Sequence, residues 1–97
     1  MALAYYESVE KLPGPVVEAH RAISSLIEEL EAVTLYHQRA ALSADAEVKA
    51  IMEHNRDEEI EHAVMLMEWL RRKFPVFDEQ MHTYLFKTAP ITELEGA

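Results

Sequence analysis

Three polar side chains stand where an apolar stripe should run. Val48, Met52, Leu66 and Trp69 recur at alternating four- and three-residue steps, and Asn55, Glu59 and His62 fill the remaining places of that stripe. Burying an unpaired carboxylate costs several kcal/mol, so Glu59 must find a cation, a proton or a metal. Glu59 and His62 are three residues apart, which stacks them on one helical face. Glu-x-x-His is also the ligand spacing of di-iron carboxylate sites in helix bundles. Glutamate is a hard oxygen donor able to bridge two metals, and neutral imidazole suits iron. A complete site needs two Glu-x-x-His helices and two further helices giving one Glu each. This chain has one Glu-x-x-His helix, and upstream it carries Glu28, Glu29 and Glu31. Glu29 lies seven residues from both Ala22 and Tyr36, so these three share a stripe flanking the upstream seam, whereas Glu28 and Glu31 point elsewhere. One chain thus holds half of a di-iron site, which a two-fold dimer would complete.

The same residues also admit plainer readings. A Glu–His pair serves equally as an ion pair at an oligomer interface, His62 can pair with Glu58, and Arg56 to Glu61 reads as a solvated charged face. Met52, Met65 and Met67 read as core filler and Tyr36 as a packing aromatic.

Whichever reading holds, helices must position these groups. The glycines are Gly14 and Gly96, the prolines Pro13, Pro15, Pro75 and Pro90, and no breaker falls between Pro15 and Pro75. The one interruption there is Leu42-Ser43-Ala44-Asp45, where Ser43 or Asp45 can cap the next helix. The pattern predicts helix 1 over about 15–41, helix 2 over about 45–73, and a short helix over about 77–86, with one more turn in the tail from Thr88. Val16, Ala19, Ile23, Leu26, Leu30 and Val33 form the predicted seam of helix 1, widened by Ile27 and Tyr36. The expected fold class is all-α: one domain over 1–97, an antiparallel two-helix hairpin plus a short C-terminal helix. A hairpin cannot bury such faces against itself alone, so a second copy forming a four-helix bundle is expected. Phe77, Met81, Tyr84, Leu85 and Phe86 predict contacts beyond that dimer.

Composition narrows the function classes. The 97 residues carry a net charge of −9, a field that repels nucleic acid and anionic membrane and attracts cations. There is no Cys, which removes thiolate zinc sites, iron–sulfur clusters, disulfides and cysteine nucleophiles together. No apolar run approaches the roughly 20 residues of a membrane span, and no leader opens the chain. These features predict a soluble, cytoplasmic protein.

At this point the residues resemble a known family, the encapsulated ferritins of bacteria and archaea. In helix 1 the matching stretches are His20-Arg21-Ala22-Ile23, Glu28 to Val33, Tyr36 and Gln38-Arg39. In helix 2 they are the run HNRDEExEHA over 54–63 and then Glu68 to Arg72; Thr83 to Phe86 and Pro90 to Thr92 follow. The resemblance implies a ferritin-like four-helix bundle built from a homodimer, assembling as a ring of five dimers, a decamer. It implies a ferroxidase that oxidises Fe(II) to Fe(III) with dioxygen at a di-iron centre in the dimer interface, mineralising iron within an encapsulin nanocompartment. By position Glu29, Glu59 and His62 would bind the ferroxidase iron, with Tyr36 beside them. Glu28 and Glu31, and separately His54, Glu58 and Glu61, match acidic positions able to take up secondary cations such as Ca or Zn.

The sequence departs from this family in places. Thr34, Leu35 and His37 stand where Asp, Trp and Asp are expected in its best-known form, which bears on how iron reaches the site. Glu95-Gly96-Ala97 lacks the apolar, glycine-containing peptide that delivers cargo to encapsulin, which points to truncation rather than to another route such as fusion. Rival readings are a structural helical adaptor without redox activity, a haem-binding bundle, and a zinc or manganese site without redox function.

Overall fold

The structure is a computed structural model describing residues 3–96, so Ala97, the last residue of the tail discussed above, lies outside it. Helix α1 spans Gly14–Leu42, α2 spans Ala46–Lys73 and α3 spans Pro75–Tyr84. Short 3-10 turns occupy Val9–Lys11 and Ile91–Leu94, and there is no strand among the described residues. The two long helices pack as an antiparallel hairpin, with α3 folded off the end of α2. The fold is therefore all-α, two long helices and a short third.

The helix ends follow local chemistry. Pro15 opens α1, a position where its missing N–H costs no hydrogen bond. Of the two candidate caps, Asp45 starts α2: its Oδ1 accepts from the Val48 backbone N–H at 3.0 Å, while Ser43 closes α1. Arg71, Arg72 and Lys73 occupy the last turn of α2, where cations suit the helix dipole. Phe74 ends α2 and begins α3. Helix α3 starts two residues before the predicted 77, because proline is well placed in a first turn. It also ends two residues before the predicted 86. Leu85 is extended and Phe86 takes a left-handed φ of 59°, which a right-handed helix cannot continue through.

The hairpin closes on small residues. Ala22 and Ala40 of α1 and Ala63 and Leu70 of α2 are its buried apolar side chains. They extend to half-buried stripes, Ala22-Leu26-Glu29-Val33-Tyr36-Ala40 facing Met52-Arg56-Glu59-Ala63-Leu66-Leu70. These are rotated from the predicted seams. Of those, Val16, Leu30 and Val48 are exposed, and the buried places go to Ala22, Ala40, Ala63 and Leu70 instead. Glu29 thus belongs to the helix–helix contact rather than to its flank. It is the sixteenth of the 29 residues of α1, and Glu59 and His62 are the fourteenth and seventeenth of the 28 in α2.

The molecule measures 49 × 41 × 18 Å, a single layer of helices. Much of its apolar surface faces outward: Leu42, Val64, Met65, Val76, Ile91 and the fully exposed Phe86. At the open end of the hairpin Pro15, Val16, Ala19, Ile23, Trp69 and Phe74 line a groove of about 720 Å³, two helical turns along α2 from His62. The N-terminal strap folds back on α1. Leu3 N donates to Ser24 Oγ at 2.9 Å, the Leu3 carbonyl lies 2.9 Å from His20 Nε2, and Tyr5 stacks on the His20 ring at 3.7 Å.

Candidate metal centre

Halfway along the hairpin, α1 supplies Glu29 and α2 supplies Glu59 and His62. One ligand atom from each lies within 4.8 Å of the others, and among the described residues this is the one such group of three acidic or histidine side chains. His62 Nδ1 is 3.5 Å from Glu29 Oε2 and 3.5 Å from Glu59 Oε2. Those separations are too long for good hydrogen bonds. They are close to the spacing of about 3–3.5 Å that neighbouring donors adopt around one ion bound at about 2.1 Å.

Burial sharpens this reading. The Glu29 and Glu59 side chains are 25% and 24% exposed and His62 is 43% exposed, so the donors sit inside the helix contact with one side open. Glu29 Oε2 is itself buried and has no hydrogen-bond partner. A buried carboxylate oxygen without a donor is costly and rare in folded proteins. A divalent cation bridging the two carboxylates would satisfy it. The chemistry of the donor set also fits: two hard carboxylates and one imidazole, without sulfur, suit iron, manganese or zinc. Three donors do not fill a six-coordinate ion, and the open side is where further ligands would arrive.

The other residues singled out from sequence lie away from this cluster. Tyr36 is half-buried two turns beyond Glu29 on the same stripe. Glu28, Glu31, Glu58 and Glu61 are exposed, and exposed His54 meets Glu58 at 3.6 Å on the surface of α2. His62 does not pair with Glu58, which faces His54 instead. Sequence reasoning missed one contact between the two helices, in which Arg56 Nη1 of α2 lies 3.1 Å from His37 Nδ1 of α1. The partners are 19 residues apart on facing helices, so no local spacing announces them.

The family described as EncFtn-like matches residues 4–88. A ferritin-like protein of Thermotoga maritima is 55% identical over 95 residues, 98% of this chain and 83% of that protein. An encapsulated ferritin-like protein of Rhodospirillum rubrum is 52% identical over 92 residues, 95% of this chain, which spans 66% of that protein's length. A crystal structure of a Nitrosomonas europaea protein superposes with a TM-score of 0.87 at 54% identity, covering 90% of this chain and 96% of that one. A family match over 4–88, which spans the whole hairpin, together with relatives more than half identical, means that the chain belongs to the EncFtn-like family.

Proposed function

We propose that this protein is a ferroxidase that takes Fe(II) as substrate and uses dioxygen to oxidise it to Fe(III), at a di-iron site shared by two chains. The observation that carries the reading is the convergence of Glu29, Glu59 and His62 around a buried carboxylate oxygen without a donor. Two such half-sites, face to face across a two-fold axis, supply four carboxylates and two imidazoles, the donor count of di-iron bundles. Glu29 and Glu59 would hold two Fe(II) close together, so that each gives one electron to a shared dioxygen. His62, as a neutral ligand, would limit the negative charge at the site; Tyr36, two turns along α1, does not reach the triad within this chain. The exposed apolar faces support a homodimer, and the family supports its assembly into a ring, a decamer, within an encapsulin compartment where the oxidised iron mineralises. Glu28, Glu31, His54, Glu58 and Glu61 would attract cations such as Ca or Zn more loosely, an effect that salt screens.

An anaerobic Fe(II) titration of the purified oligomer, followed by air and absorbance in the ferric-oxo region, tests the reading. The expected result is saturation at about one iron per chain, the stoichiometry of a shared pair, followed by rapid Fe(III) formation. Replacing Glu29, Glu59 and His62 together by alanine should abolish it. Oxidation no faster than in buffer, or unchanged in that triple variant, would leave a structural helical adaptor as the better description.

A further inference from the structure

The contact between Arg56 and His37 is chemically one-sided. A guanidinium can only donate, so His37 Nδ1 must accept, and the ring proton sits on Nε2. The contact therefore exists only while His37 is neutral. An imidazolium has no lone pair to offer and would face Arg56 with like charge. The other side of the guanidinium is also engaged, Nε donating to Asp57 Oδ1 at 3.1 Å, and the Arg56 side chain is only 23% exposed.

What Arg56 leaves undone is informative. It precedes Glu59 by three residues, a spacing at which Arg and Glu on one helix ordinarily pair. Arg56 instead reaches across to α1, while Glu59 faces His62 and the neighbouring Glu29 Oε2 stays buried without a donor. The nearest guanidinium on α2 is turned aside from the two carboxylates.

We infer that His37 is a positioning residue for the metal site: by accepting from Arg56 it holds that cation off Glu59 and keeps the carboxylates open to a divalent ion, and its protonation frees Arg56 to compete for them. The inference rests on the triad being a metal site. From α2, Arg56 is the charged group in contact with His37, and Asp57 is bonded to Arg56 in turn; Glu53 lies one turn before Arg56 on the same helix. On its own helix the residues three and four away are Val33, Thr34, Ala40 and Ala41, none of them charged. Arg56 is thus the cation whose position the charge on His37 controls.

Co(II) titrations followed by visible absorbance test this on the assembled protein, at about pH 8 and about pH 5.5. The proteins are wild type, His37→Gln, which keeps an acceptor that cannot charge, and Arg56→Gln, which removes the competitor. Protonation of the ligands themselves weakens binding in all three. Beyond that shared loss, wild type should lose about fivefold or more in affinity on acidification, and both variants should not. Equal pH dependence in all three would overturn the inference while leaving the metal site in place. Should Arg56→Gln fold poorly by circular dichroism, wild type against His37→Gln alone decides. Absence of Co(II) binding by wild type even at the higher pH would overturn the metal-site reading itself, and the positioning role with it.

Discussion

Glu29 is the residue on which the competing readings diverge. As a member of a structural ion pair with His62 it would stabilise the hairpin, and as an empty half-site ligand it would burden it. The 3.5 Å separation and the orphaned Oε2 favour the second. Glu29→Gln removes the charge at nearly constant shape. The metal-free protein should then melt no lower than wild type, or higher by about 1 kcal/mol of stability, and the rise in melting temperature on adding Zn(II) should vanish. A loss of several kcal/mol would restore the ion-pair account. Much of this site was legible in the residues. The Glu59–His62 spacing needs only helical geometry, and a half-site followed from finding one such motif, whereas choosing Glu29 over Glu28 and Glu31 rested on its phase. What stayed hidden was contact across the hairpin: that Arg56 meets His37 is a fact of facing helices with no local signature, whereas the His54–Glu58 pair sits at an ordinary four-residue helical spacing.

At the scale of the element, the helices were readable because proline, glycine and a capping aspartate punctuate them. The face that packs was not. A search for large apolar residues finds Val16, Leu30 and Val48, yet the hairpin buries alanines and leaves those three outside. The same rotated face brings Glu29 of α1 against Glu59 and His62 of α2, so the packing that buries the alanines also assembles the triad. The elbow into α3 rests on another device. Arg71 clasps Glu68 with two hydrogen bonds, at 2.7 and 2.8 Å, and also reaches Asp78 of α3, while Arg72 adds a third bond to Glu68 at 2.7 Å. Hydrogen bonds from Arg71 and then Arg72 hold the Glu68 carboxyl well below its ordinary value, at about 2 against 4.5. A depressed carboxyl contributes fully above its unfolded-state value and loses that contribution as pH falls through its folded one. The elbow contribution should therefore be complete above about pH 4.5 and fade towards about pH 2. Amide exchange in α3 should show this protection down to that range. Glu68→Gln should speed exchange there at neutral pH while leaving the middle of α1 and α2 unchanged. Protection of α3 that is insensitive to both would mean the apolar contacts of Phe74 and Phe77 hold the elbow instead.

For the whole molecule, one layer of helices 18 Å thick leaves many apolar side chains facing water, and the proposed homodimer would cover part of them. Single exposed leucines are ordinary, but Phe86, Ile91, Val76 and Leu42 are all well exposed, a burden that association would relieve where they meet a partner. Association couples stability to concentration, so the melting temperature should climb by a few degrees or more per tenfold increase in chain concentration. A melting temperature independent of concentration would mean the hairpin stands alone. The placement of the triad halfway along both long helices bears on how a second hairpin can align. If an antiparallel partner must bring its own triad against this one, each residue of offset from the midpoint would slide the partner by twice that distance, about 3 Å at 1.5 Å per residue. A triad two turns off centre would leave more than 20 Å of each helix overhanging, with its apolar face uncovered. Centring lets one alignment both complete the donor set and bring the full lengths of the helices into register.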